Sequence, residues 1–385
     1  MIAGFTPIFR GYPMCADPVS PAEPSNKLVI LGDGCAALSL AQHADQLSEY
    51  QITVVRPEGA PPERDHIWGL WKIPGADHTA GLERASWHRW SIVTNSGEAI
   101  LQSDARPYMA LNRLSWTGAC RDIAARAGVA ITSTMPDREA GYWLDTRPAA
   151  VPEGMMLQHF IGQEIVCDDP VFDPGTAILM DFRTDQSQGM HFIYLLPFSE
   201  YEALVESTLF SPTRCGDDFY RTAIDTYLRN IIGVSHYQVS REERGTIPLG
   251  ILPRRDPSIT GLGGNGGAIR PSSGYAFVFI QKQVKALVAS LRQGRVEVTV
   301  PHRAVDLWMD AVLLSVLRHW PEQAPQLFLA MARALSGDEF ARFLSGEASW
   351  RLRAKVVMAM PKLPFIRGLL RLMVRSHAAK PAEVM

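Results

Sequence analysis

The stretch KLVILGDGCAALSLAQHA, residues 27–44, decides how the rest of the chain is read. Lys27 to Leu31 is a short, continuous apolar run of the kind that parallel strands buried on both faces require. Gly32-x-Gly34-x-x-Ala37 follows at once, and an Ala/Leu-rich helix is expected from there to about Ala44. Strand, Gly-x-Gly-x-x-Ala and helix in that order form the dinucleotide fingerprint. Gly32 permits the tight turn, Gly34 lets the backbone approach a pyrophosphate, and Ala37 lets helix and strand pack closely. The helix start then turns its partial positive charge toward the phosphates.

Outward from this unit, a second strand is expected at Gln51 to Val55. The acid that commonly ends such a strand and binds a ribose is replaced by Arg56, with Glu58 two residues on as a possible substitute. Far along the chain, Ile259 to Gly267 is again Gly-rich, with Gly263, Gly266 and Gly267, and leads past Arg270 into a helix expected from Tyr275 to about Gln293. Two Gly loops that open helices, one near each end of the core, predict a discontinuous Rossmann-like domain of residues 27–150 and 255–300. They suit a ribityl pyrophosphate better than a nicotinamide alone.

Between the loops, residues 60–107 are expected as an inserted substrate-side segment. It carries Trp68, Trp71, Trp87 and Trp90, which could either line an elongated apolar ligand site or pack a small sheet. A helix is expected from Arg113 to Ala127, stopped by Gly128, and Tyr142 to Pro148 reads as a strand ending in an Asp145-x-Arg147 turn. Residues 151–254 are expected as a sheet domain for the substrate. Within it, Phe172 to Ser211 reads as strands at Ala177–Phe182, Met190–Phe198 and Ala203–Phe210, the first two joined by a polar loop that ends in Gly189. Glu206 lies among the apolar residues of the last strand. Either it is solvated at a strand edge and inert, or it is buried, its pKa raised, and it is a proton donor. Tyr237 to Leu249 reads as a strand to Glu243 followed by a turn.

Residues 301–385 are expected to be helical. From Trp350 to Ser376 seven Lys and Arg residues alternate with apolar ones and no acid intervenes, a pattern that suits either an anionic membrane surface or a core helix with a solvated basic edge. The 385 residues are 46% hydrophobic with a net charge of −2, which argues against a nucleic-acid partner. The five cysteines are scattered without metal spacing, so no metal is expected, and free thiols in a reducing compartment are. No apolar stretch reaches the ~20 residues of a spanning helix. Residues 1–26 are expected as a loose leader.

These residues together resemble bacterial lycopene β-cyclases, relatives of the flavoprotein monooxygenases and geranylgeranyl reductases. The resemblance runs from Lys27 onward. Its carriers are the Gly32–Ala37 fingerprint, the run from Pro170 to Pro174, Leu179-Met180-Asp181-Phe182-Arg183, and His191 to Ser199. They continue with Leu204-Val205-Glu206-x-Thr208, Glu242-Glu243-x-Gly245-x-Ile247-Pro248, and Gly266 to Tyr275. The resemblance implies FAD, active in its reduced form, with NAD(P)H as the expected reductant. It also implies redox-neutral, acid-catalysed closure of the linear ψ-ends of lycopene into β-ionone rings. Glu206 matches the family's catalytic acid, and Asp181 and Arg183 are placed with it as candidate catalytic residues. A second acid often follows the first in this family; Ser207 stands there instead. Gly32, Gly34, Ala37, Arg56, Arg113, Gly263, Gly266 and Gly267 are the candidate FAD contacts. Expected partners are lycopene and other carotenoids with ψ-ends, membrane lipid at a peripheral site on the cytoplasmic face, and neighbouring carotenoid enzymes. The competing readings are an FAD-dependent monooxygenase or reductase acting on an isoprenoid, and a non-catalytic carotenoid-binding protein.

Overall fold

The apolar run at 27–31 forms the middle of a five-stranded parallel sheet, and the other layers are built outward from it. The computed structural model describes residues 26–378 apart from 57, 61, 75–76 and 138–140. The expected leader lies outside the described residues but for its last, Asn26. In chain order the strands are β1 (Lys27–Leu31), β2 (Gln51–Val55), β3 (Ile67–Trp71), β4 (Glu83–Trp87), β5 (Arg89–Thr94), β6 (Gly97–Gln102), β7 (Tyr108–Asn112), β8 (Ala130–Thr132), β9 (Tyr142–Asp145), β10 (Met156–Val166), β11 (Thr176–Asp181), β12 (Met190–Pro197), β13 (Glu202–Ser211), β14 (Gln238–Leu249) and β15 (Thr260–Gly261). The α-helices are α1 (Cys35–Ala41), α2 (Arg113–Arg126), α3 (Asp217–Tyr227), α4 (Phe277–Leu291), α5 (Ala304–His319), α6 (Ala324–Ala334), α7 (Gly337–Leu344), α8 (Trp350–Ala359) and α9 (Lys362–Ala378).

The parallel sheet runs β15-β9-β1-β2-β8. Leu28, Ile30, Ile52, Val54 and Leu144 project from one face into α1 and α4, where they meet Ala37, Leu40, Phe279, Val284 and Leu287. Ala37 is fully buried. A seven-stranded sheet, β14-β10-β13-β12-β11-β5-β6, forms the second layer and is antiparallel except where β11 runs parallel to β5. Between them lies a three-stranded sheet, β3-β7-β4. One side of it, through Leu70, Met109 and Leu111, packs on Trp116, Leu38 and Phe277. The other side gives Trp71 and Tyr108 to the large core beneath the seven-stranded sheet.

Alternation along the seven-stranded sheet makes two unlike faces. Phe192, Leu196, Leu204 and Phe210 face inward to the large core, which α6, α7 and α8 close with Phe328, Phe340 and Leu352. Ile193, Leu195, Ala203 and Val205 face outward onto Ile224 and Tyr227 of α3. Trp71, Trp87 and Trp90 belong to the inner core and are 2%, 2% and 0% exposed. Trp68 is half-buried against Trp116 and Phe277.

Three elements differ from the sequence reading. β14 does not turn at Gly245 but continues for 12 residues to Leu249, pairing with β10 throughout. It is the edge strand, so the N–H that Pro248 lacks has no ladder partner to lose. α1 ends at Ala41 and gives way to a 3₁₀ turn at Ala44–Leu47. The third is the C-terminal basic pattern, which loses one member to the interior. Asp310 and Asp306 of α5 hold Arg270 at 3.2 Å and Arg353 at 2.7 Å in buried ion pairs. Arg353 is therefore withdrawn from the basic surface that the sequence pattern suggests. The remaining pattern survives on α8 and α9, where Trp350, Met358, Leu363, Ile366, Leu370 and Val374 stand exposed beside Arg351, Arg367 and Arg371.

Candidate active site

Glu206 sits in the middle of β13, a strand paired on both sides, and its side chain points to the inner face. It is only 8% exposed. No cation approaches it among the described residues. Thr208, on the same face two residues on, donates a hydrogen bond to Oε1. Burial raises the Glu206 pKa from 4.5 to about 8, with Thr208 pulling the other way and the charge of Glu243 adding a smaller push upward. A carboxyl group in this state carries its proton at neutral pH and can give it away.

The surroundings are aromatic. Tyr194 lies directly across from Glu206 in the β12–β13 ladder. Its hydroxyl is 2.8 Å from that of Tyr108. Trp71 packs edge-on against Tyr108 at 4.8 Å and Tyr275 at 5.5 Å. Gly69 makes this possible: a Cβ there would stand 2.1 Å from the Tyr108 hydroxyl and 2.4 Å from that of Tyr194. Burial pushes all three tyrosine pKa values well up, so the hydroxyls stay neutral. The indole N–H groups of Trp71 and Trp90 are buried without a partner among the described residues.

The structure does not bring Asp181 and Arg183 to this acid. Asp181 pairs in register with Ile193, an outward residue, and so lies on the opposite face of the sheet from Glu206. Its carboxylate takes three hydrogen bonds from the Arg183 side chain, at 2.5, 2.9 and 3.2 Å, and another at 2.8 Å from the Tyr227 hydroxyl of α3. A β-bulge between Ile178 and Asp181 turns the strand end outward, which the sequence pattern does not reveal. Asp145 and Arg147 repeat the same clamp at the end of β9, at 2.8 and 2.9 Å. Both motifs fasten a strand end to its own loop.

Ser207 also points outward, where its hydroxyl lies 2.9 Å from Nε2 of His191. Adjacent residues of a strand occupy opposite faces, so no residue at 207 can share the inner face with Glu206. The second inner-face carboxyl comes instead from β14. Gly162 pairs with Glu206 on one side and with Glu243 on the other. Glu243 is 5% exposed, and its Oε2 takes the Ile67 N–H at 3.1 Å and pairs with Arg241 at 3.1 Å. Burial raises its pKa from 4.5 to about 7, against the pull of Arg241. Its neighbour Glu242 faces outward onto Arg221 at 2.8 Å, which lowers its pKa to about 2. In the sequence, Glu242 and Glu243 stand side by side with nothing local to distinguish them. Strand alternation is the signal that separates the two.

The fingerprint forms an open, amide-lined end to β1. Gly32, at φ +98°, could carry no Cβ, which would fall 2.5 Å from Thr146 Oγ1. Gly34 caps α1 in an extended conformation without a side-chain cap, and a Cβ on it would meet nothing within 4 Å. Gly263, at φ +68°, lets the second loop lie against Ala36, where a Cβ would come to 2.4 Å. Gly266 and Gly267 complete that loop, Gly267 at φ +76°. Arg56 reaches back to Asp33 at 3.0 Å and to Glu63, which Arg121 also holds. Glu58 is exposed. Arg113 opens α2 and donates to the carbonyl of Arg64 at 3.3 Å. A separate cavity of about 260 Å³ lies at the other ends of β1 and β2, beside Lys27, Gln51 and Trp143. That is the end opposite the one at which doubly wound sheets bind ligands.

Residues 121–370 match the family model described as lycopene cyclase protein. The chain is 27% identical over 383 residues to a lycopene β-cyclase of Pseudescherichia vulneris, covering 88% of this chain and 94% of that one. It is 33% identical over 293 residues to a lycopene β-cyclase of a Paracoccus species, covering 68% and 71%. Among solved structures, a geranylgeranyl bacteriochlorophyll reductase-like protein of Thermoplasma acidophilum superposes with a TM-score of 0.59 at 14% identity, over 90% of this chain and 98% of that one. A flavin-dependent brominase superposes with a TM-score of 0.56 at 14% identity, over 90% and 99%. The fold is therefore that of flavin-dependent enzymes.

Proposed function

Because this chain belongs to the lycopene cyclase family, an enzyme family of carotenoid chemistry, we propose that it closes the ψ-ends of lycopene into β-rings, giving γ- and β-carotene without net redox change. The observation that carries this reading is Glu206, a buried carboxyl with no cation beside it, protonated at neutral pH and set in an aromatic wall. A polyene offers no polar handle, so its binding rests on apolar burial, worth roughly 25 cal/mol per Å². The protonated Glu206 gives its proton to the terminal double bond. The cation that forms is attacked by the internal double bond to close the ring, and loss of a ring proton completes it. The faces of Trp71, Tyr108, Tyr194 and Tyr275 stabilise positive charge through their quadrupoles. The neutral tyrosine hydroxyls offer no competing base.

The open end of β1 suits an FAD pyrophosphate, since Gly34 leaves its approach clear and the α1 amides face it. Gly32, Gly34, Ala37, Gly263, Gly266 and Gly267 would form the cradle, with Arg56 and Arg113 at its rim. Bound in its reduced form, the flavin supplies negative charge against the developing cation. NAD(P)H is the proposed reductant. The exposed apolar stripe of α9, with Leu363, Ile366, Leu370 and Val374 on one side and Arg367 and Arg371 beside it, suits the surface of an anionic bilayer. No helix among the described residues is long and apolar enough to cross one. We place the enzyme peripherally on the cytoplasmic face, where carotenoids pass to it from lipid and from neighbouring carotenoid enzymes.

Expression in lycopene-accumulating cells, with pigment analysis, tests the reading. β-Carotene or γ-carotene is the expected product; unchanged lycopene or an oxygenated or reduced pigment overturns it. The purified protein should show a flavin spectrum. It should sediment with phosphatidylglycerol vesicles, and the pair Ile366→Glu and Leu370→Glu should release it at least tenfold without loss of folding. Equal binding by that variant removes α9 as the membrane contact.

A further inference from the structure

Gly162 separates two buried acids. It lies on β10 directly between Glu206 and Glu243, and all three positions share the inner face. The strands that carry the two acids are next-but-one neighbours, about 10 Å apart at the backbone. Both side chains lean toward the gap that Gly162 leaves. A Cβ on Gly162 would stand 3.4 Å from Glu206 Cβ and 3.3 Å from Glu243 Cγ. The nearest atom to that Cβ would be Leu204 Cδ1 at 3.2 Å, so an apolar side chain shares the gap with the two acids. Each acid has one oxygen engaged: Glu206 Oε1 by Thr208, and Glu243 Oε2 by the Ile67 amide and Arg241. Glu206 Oε2 and Glu243 Oε1 take no hydrogen bond among the described residues.

Resting on the assignment of Glu206 as proton donor, we propose that Glu243 is the second proton-carrying group of the site, taking the proton that leaves the closed ring and returning it to Glu206 across Gly162. The balance closes without a co-reactant. The Glu206 O–H bond breaks as a C–H bond forms at the terminal carbon. The internal π bond forms the ring C–C bond. A ring C–H bond then breaks, its electron pair becomes the ring double bond, and its proton forms an O–H bond with Glu243. Transfer from Glu243 to Glu206 resets both acids for the next end. The carboxylate form of Glu243 is held by a cation, Arg241, and by the Ile67 amide, while that of Glu206 has only the neutral Thr208 hydroxyl. The charged groups around Glu243 are Arg241, Glu164 and Asp65, with His66 facing Arg241; Arg84 neutralises Glu164 from β4. Because a cation and an amide hold the charged form of Glu243 and only a hydroxyl meets Glu206, the return to Glu206 runs in the favourable direction.

The test is the pH dependence of kcat for the flavin-loaded, dithionite-reduced protein on lycopene in liposomes. Wild type should show a bell, falling on the acidic side as Glu243 takes a proton and on the basic side as Glu206 loses one. Glu243→Gln should lower kcat about 100-fold, the scale of a lost general base, and remove the acidic limb. Glu243→Asp should restore part of the rate together with that limb. A Glu243→Gln enzyme with the wild-type rate, or a slower one that keeps the acidic limb, overturns the inference. Should Glu243→Gln not fold, Arg241→Gln carries the test: loss of the guanidinium should move the acidic limb to higher pH, and an unmoved limb overturns the inference. Glu206→Gln, measured alongside, separates the two readings. If it turns over normally, the proton-donor assignment fails; if it is dead while Glu243→Gln is normal, only the relay fails.

Discussion

The two faces of the seven-stranded sheet each bury an acid, and they treat it in opposite ways. On the outer face Asp181 is 0% exposed and meets Arg183 and the Tyr227 hydroxyl, so its charge is matched where it is buried. On the inner face Glu206 meets a threonine hydroxyl and aromatic rings, and burial keeps it protonated. A buried acid with a cation holds structure together; a buried acid without one holds a proton. Glu242 and Glu243 divide on burial instead: each has an arginine, but Arg221 holds Glu242 ionised, whereas at Glu243 burial outweighs the pull of Arg241. The strand itself sorts the acids, since each step along it changes the face.

Neutralising each acid in turn separates the two faces. Glu206→Gln should reduce cyclisation by at least about 1,000-fold, within the range of a general acid, while the flavin spectrum is kept. Asp181→Asn should leave chemistry in place but cost about 2–3 kcal/mol of stability, read as a lower unfolding midpoint, because Arg183 and Tyr227 lose a charged acceptor. Loss of cyclisation in Asp181→Asn at full stability would place that acid in the chemistry after all.

Stability against pH sharpens the comparison further. The folded Glu206 pKa of about 8 lies above the ordinary 4.5. Between these values the unfolded chain has lost the proton that the folded protein keeps, so stability falls as pH rises through that window and levels off above it. Glu206→Gln removes this dependence and should be about 1–3 kcal/mol more stable than wild type at pH 8, with little difference at pH 4. Activity should fall above pH 8 as the donor ionises. Ser207→Ala is the mildest test. It breaks the His191 hydrogen bond on the outer face and should cost about 1 kcal/mol of stability with kcat unchanged.

Much of this molecule is legible without coordinates. Lys27–Leu31, Gly32-x-Gly34 and the helix after them obey local rules: apolar runs, turn glycines and helix formers act within a few residues of one another. The same holds for the hairpin of β11 and β12 and for α2, which stops at Gly128 with φ +79°. What the chain's order could not disclose is which distant residues meet. That Ser207 turns away and Glu243 turns in depends on the register of β10 against both β13 and β14, in which Gly162 meets Glu206 and Glu243, residues far from it in the chain. That Arg353 is buried against Asp306 depends on α5 docking beneath the sheet. Sequence alone singled out Glu206, because its neighbours form a local pattern. Tertiary structure alone decided its surroundings, because burial and the face a side chain takes are properties of how strands pair and layers stack.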